Sequence, residues 1–111
     1  MAPTLPINLK WIETDQSGRT CVISVKIEQT KDRDFYQPDG IKSVFMVKRE
    51  KRMGEENFET IILIDNHAPF GFHEHPNLPD ESKVRQSIHV SNWQKAWFFF
   101  EIKIKELLDE A

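Results

Sequence analysis

Phe58-Glu59-Thr60-Ile61-Ile62-Leu63-Ile64-Asp65 is the stretch that decides the fold. Its unbroken Ile61–Ile64 core predicts a strand buried on both faces, and therefore a central place in a sheet. Just before it, Arg49 to Asn57 reads as a charged loop around Gly54. Before that, Ile41 to Lys48 is rich in β-branched and aromatic residues and reads as another strand. Further upstream, Cys21, Ile23, Val25 and Ile27 alternate with Ser24, Lys26 and Glu28, one dry face and one wet face. Ile7, Leu9 and Trp11 alternate in the same way. The turn residues Asp15-Gln16-Ser17-Gly18 lie between these two segments and predict an antiparallel hairpin. Pro38-Asp39-Gly40 is a second turn signal.

Downstream of Asp65 the periodicity stops until the C-terminal end. There Trp93, Ala96, Trp97, Phe100, Ile104, Leu107 and Leu108 recur at helical spacing. Ser91 is the expected N-cap, with Gln94 completing a capping box. The expectation is a single α+β domain over residues 1–111. It has two layers: a four-stranded, mostly antiparallel sheet (strands about 7–14, 20–28, 41–49 and 57–65) and one long covering helix (about 92–109). A His-rich segment, 65–90, joins them. Phe98, Phe99 and Ile102 fall outside the helical stripe. They call for a second burial partner, such as another protein, a second copy of the chain in a homodimer, or the 65–90 segment folded back.

Composition narrows the class. With 111 residues, 39 % hydrophobic and 30 % charged, the chain suits a globular domain rather than a disordered one. The formal charge of −3 gives no whole-molecule attraction to nucleic acid, so any phosphate contact needs a local patch. The single cysteine, Cys21, allows no intramolecular disulfide and reads as a small buried strand residue. The start, Met-Ala-Pro-Thr-Leu-Pro, lacks the pattern of a signal peptide, and no apolar run approaches a membrane span. A cytoplasmic location without membrane contact is expected.

All four histidines, His67, His73, His75 and His89, lie within 65–90. The segment Asp65-Asn66-His67-Ala68-Pro69-Phe70-Gly71-Phe72-His73-Glu74-His75 leaves the end of the central strand, where side chains are rigidly held yet can reach solvent. In an extended chain the rings of His73 and His75 project on one side. Three readings stay open. The first is acid–base chemistry by His73 and His75, with Asp65 fixing a tautomer and Asn66 and His67 beside them, as metal-independent RNA cleavage requires. The second is metal binding by His67, His73 and His75, for which no companion ligand motif is present. The third is a loop pinned to the sheet by satisfied histidines. No cofactor is expected.

Lys42, Lys48, Arg49, Lys51 and Arg52 surround one acid, Glu50, and form a local positive stretch. Lys48, Arg49, Arg52 and the later Arg85 are the candidate phosphate contacts. The plainer reading is a solvated hairpin tip that discourages edge pairing.

The order of these elements resembles the TumE-type family of small bacterial proteins, toxin components of toxin–antitoxin pairs. The resemblance rests on Ser17-Gly18, the strand into Asp65-Asn66, His67, His73-Glu74-His75, Ser91 and Phe100. It spans roughly residues 7–110, and its specific part is the Asp-Asn…His-x-His order. It implies a growth-inhibiting protein neutralised by an antitoxin partner, acting by RNA cleavage or interference with translation at the ribosome. The alternatives are a non-catalytic interaction module or homodimer using Phe98, Phe99 and Ile102, or a small metal-binding protein using the His-x-His segment.

Overall fold

A computed structural model describes residues 5–36 and 39–109. Four long strands come first, β1 (Ile7–Thr14), β2 (Thr20–Gln29), β3 (Ile41–Glu50) and β4 (Phe58–Asp65). Two short strands, β5 (His73–Glu74) and β6 (Gln86–Ser87), precede the helix α1 (Trp93–Asp109). The sheet runs in chain order, β1-β2-β3-β4-β5-β6, with every neighbouring pair antiparallel. The α+β class is as expected, but among the described residues the sheet has six strands rather than four. At two residues each, β5 and β6 are too short to show a period in the sequence.

The alternation in β2 and β3 sorts the two faces of the sheet. Cys21, Ile23, Val25 and Ile27 of β2, with Ser43, Phe45 and Val47 of β3, are buried under α1. The helix contributes Trp93, Ala96, Phe100 and Ile104 to the same core. Phe100 lies 5.4 Å from Phe45 between ring centroids. Burying a side chain of this size is worth about 1.5–3 kcal/mol, so this contact region anchors the helix. Ile64 of β4 is fully buried, whereas Ile61, Ile62 and Leu63 are only half-buried. The central position expected of this strand holds, since β3 and β5 flank it, but no helix among the described residues covers its second face.

Asn92, not Ser91, caps α1: its Oδ1 accepts the Lys95 N–H at 2.8 Å. The helix therefore starts at Trp93, and the expected Ser91–Gln94 box is not formed. Two cap-forming residues stand side by side here, and only the three-residue reach to a backbone N–H distinguishes them. Of the residues outside the helical stripe, Phe99 packs against the core, while Phe98 and Ile102 stay exposed. The turn at Asp15 is also built: its buried carboxylate accepts the amides of Ser17 and Arg19, each at 3.0 Å. Pro38 lies outside the described residues, but Gly40 turns into β3 with φ +77°.

Candidate metal centre

The site begins where β4 ends. Asn66 is buried, and its side chain continues the strand pairing that its backbone abandons. Oδ1 accepts the Ser43 N–H at 2.9 Å, and Nδ2 donates to the Ile41 carbonyl at 2.7 Å. With the edge of β3 satisfied in this way, residues 67–72 are free to loop over the sheet. Gly71, at φ +62°, turns the chain back. β5 then returns beside β4 with Asp65 directly opposite His73 and Ile64 opposite Glu74.

Register decides which face receives the chemistry. Ile64 points under the helix, so its pair Glu74 is on that side and reaches Lys103 of α1 at 3.6 Å. Asp65, His73 and His75 therefore share the helix-free face.

The two rings are held the same way. His73 Nδ1 donates to the Gly71 carbonyl at 2.8 Å, and His75 Nδ1 donates to the Ser82 carbonyl at 2.7 Å. A carbonyl can only accept, so Nδ1 carries a proton in both rings, and Nε2 is the nitrogen left to serve as a ligand. Both Nε2 atoms are buried without a hydrogen-bond partner. They face one carboxylate: His73 Nε2 lies 2.7 Å from Asp65 Oδ1, and His75 Nε2 lies 3.8 Å from Oδ2. The 2.7 Å approach does not have the angle of a ring N–H bond.

Burial pushes the His73 pKa below its usual value, outweighing the opposing effects of the Gly71 carbonyl and Asp65. Desolvation thus favours a neutral His73 ring whose Nε2 has a carboxylate oxygen 2.7 Å away and no hydrogen bond to it. A cation shared by the two groups, a proton or a metal ion, would relieve this close approach. One donor atom from each of Asp65, His73 and His75 lies within 4.8 Å of the others. Ligand atoms about 2.1 Å from one ion sit roughly 3.0–3.4 Å apart at right-angle or tetrahedral positions, so to hold one ion the donors must draw in from separations of up to 4.8 Å.

An aromatic collar surrounds the cluster. His67 donates from the outside to Asp65 Oδ1, at 3.0 Å, and Phe35 stacks on it at 5.7 Å. Phe70 meets His73 edge-on at 5.4 Å, and the Arg85 guanidinium lies 4.6 Å above the Phe70 ring.

The expected site residues divide clearly. Asp65, His67, His73 and His75 come together, and Arg85 joins them through Phe70. Asn66 serves the backbone of β3 instead. Arg49 lies on the helix side, 3.3 Å from Asp15, and Arg52 is exposed in the loop after β3. Lys48 projects from β3 on the helix-free face, four positions along the strand from Val44, the neighbour of Asp65. Phe35 and the carbonyls of Gly71 and Ser82 had no signal in the sequence, because loop backbone supplies these contacts. No protein-family model, curated protein or solved structure matches this chain.

Proposed function

We propose that this protein binds a first-row divalent transition metal through Asp65, His73 and His75 and works through that ion. The observation that carries the reading is the pair of buried Nε2 atoms without hydrogen bonds, each ring fixed by a backbone carbonyl at Nδ1 and both within 3.8 Å of one carboxylate. Two imidazoles with one carboxylate suit zinc, iron, cobalt, nickel or manganese better than calcium or magnesium, which favour oxygen. Three protein ligands leave a coordination position for water or substrate, the pattern of a reactive rather than a purely structural ion. A metal there would lower the pKa of bound water and supply a nucleophile for hydrolysis. Direct acid–base work by His73 and His75 is the alternative use of the same Nε2 atoms, and cobalt binding separates the two.

Cobalt(II) reports coordination by its visible absorption. Titration of the metal-free protein is expected to give a saturable spectrum at one equivalent. The spectrum should be lost in His73→Ala and Asp65→Asn and retained in His67→Ala, whose ring is outside the donor set. The weak spectrum of hexa-aquo cobalt, unchanged by the wild-type protein, would overturn the reading.

A second reading, a growth-inhibiting toxin of the TumE type restrained by an antitoxin, is favoured by one observation. Asp65, His67, His73 and His75, which carry the resemblance, lie in a single cluster. The two readings are compatible, with RNA or the translation machinery as the target of a metal-bearing toxin. Exposed Phe98 and Ile102 are the surface this reading offers an antitoxin or a second copy. No helix among the described residues is long and apolar enough to cross a membrane, and a cytoplasmic location belongs to the same proposal.

A further inference from the structure

The helix-free face of β1, β2 and β3 is not flat. Asn8 and Lys10 of β1, Val22, Ser24 and Lys26 of β2, and Lys42, Val44, Met46 and Lys48 of β3 line a groove of about 530 Å³, with Phe58 at one end. Register explains its layout. Val22 pairs with Lys48, Ser24 with Met46 and Lys26 with Val44, while Lys10 of β1 pairs with Ser24. The aliphatic side chains therefore form a floor, and the four lysines stand around it. Ile12, the register partner of Val22 and strongly exposed, extends the floor at the β1 edge.

The charges in this groove are unspent. Among the described residues, none of Lys10, Lys26, Lys42 and Lys48 forms an ion pair. Glu28 stands beside Lys42 in register without bonding it, and Lys42 leans only toward the Tyr36 ring, at 6.0 Å. A chain with a net charge of −3 thus gathers four free cations around one apolar floor. Lysine stems can cover the rim of such a floor while their ammonium groups stay in water, ready for anions.

We propose that this groove docks an acidic amphipathic segment of a partner protein, its aliphatic side chains on Val22, Val44 and Met46 and its carboxylates on the four lysines. Charge complementarity selects an anionic occupant. The floor selects its second property. Single-stranded nucleic acid needs flat aromatic platforms for its bases, and this floor is aliphatic, with one phenylalanine at its end. A helix carrying an aliphatic stripe flanked by carboxylates matches both features. The proposal stands on β1–β3 and does not depend on the metal reading: His73→Ala, which removes a ligand without changing a groove residue, should leave peptide binding intact.

The probe is a designed helical peptide with one leucine stripe flanked by glutamates, titrated into the isotope-labelled chain and followed by amide NMR shifts. Saturable shifts are expected at Val22, Ser24, Val44 and Met46, with none at Phe98 or Ile102. The Lys26→Glu/Lys42→Glu double variant should weaken binding about tenfold or more. Its cooperative unfolding should be kept, with a loss of at most about 1 kcal/mol from the carboxylate set opposite Glu28. Peptides with lysine for glutamate, or serine for leucine, should fail to bind. The proposal is overturned if the shifts map elsewhere, if charge reversal leaves affinity unchanged, or if the peptide does not bind. Binding of an oligothymidylate in place of the peptide would assign the groove to nucleic acid and overturn it equally.

Discussion

Asp65 and His73 face each other across β4 and β5, with the imidazole Nε2 2.7 Å from the carboxylate Oδ1 and the opposite ring nitrogen tied to the Gly71 carbonyl. Strand register creates this relationship. A one-residue slip of β5 would send His73 and His75 to the helix side and bring Glu74 to Asp65. Two carboxylates would then share a site, so the positions of the histidines and of the short strand depend on each other.

Asn66 holds that register from the other flank. Replacing it with alanine leaves the buried Ser43 amide and Ile41 carbonyl without partners. Asn66→Ala is expected to cost about 2–4 kcal/mol in urea unfolding, at roughly 1–3 kcal/mol for each orphaned group. A loss below the error of the measurement would show that Asn66 does not bridge to β3.

Acid should weaken the hairpin end of the sheet. Burial would raise the pKa of Asp15, but the Ser17 hydroxyl, the amides of Arg19 and Ser17, and the Arg49 guanidinium together hold it below its usual 3.8. Hydrogen bonds from Thr20, foremost its amide, and from the Gly54 amide hold Glu50 below its usual 4.5. Each folded-state pKa is depressed. The stabilisation is therefore complete above the unfolded-state values and is lost as pH falls through the lowered folded values. Asp15→Asn should flatten the acid limb of stability measured against pH; identical acid limbs would contradict this.

Adjacent phenylalanines on α1 should behave differently. Phe98 is 67 % exposed, whereas Phe99 packs against the core. Phe98→Ser is expected to change stability by less than about 0.5 kcal/mol, and Phe99→Ser to destabilise by about 2 kcal/mol. Equal losses in thermal unfolding would mean that Phe98 is already covered, for instance by a second copy.

Induced expression in bacterial cells tests the toxin reading. Growth arrest is expected with the wild type and not with His73→Ala or Asp65→Asn accumulated to the same soluble level. Unimpaired growth with the wild type would end that reading and leave the metal site standing.

Much of this was legible in the residues. The alternation of Cys21 to Ile27 and the stripe from Trp93 to Leu108 report burial directly. The Ile61–Ile64 run marks a central strand but overstates its burial, since only Ile64 is fully enclosed. These elements appear within a residue of their expected bounds. The spacing of His73 and His75 placed both rings on one side. What could not be read depends on distant partners. The pairing of Asp65 with His73 needs the register of a two-residue strand. The tautomers need the Gly71 and Ser82 carbonyls. Asn66 looks like a site residue because a polar side chain beside histidines carries no mark of being spent on a neighbouring strand, and Arg49 gives no sign that Asp15 will claim it.

Metal content tests the central claim most directly. Protein produced without an affinity tag should carry close to one equivalent of a transition metal. The metal-free form should be stabilised when zinc, cobalt, nickel or manganese is restored, by about 2.7 kcal/mol at a hundredfold excess over the dissociation constant. His73→Ala and Asp65→Asn should show neither effect. A wild-type chain that folds without metal, and whose unfolding midpoint none of these ions moves, would contradict the assignment of Asp65, His73 and His75 as a metal centre.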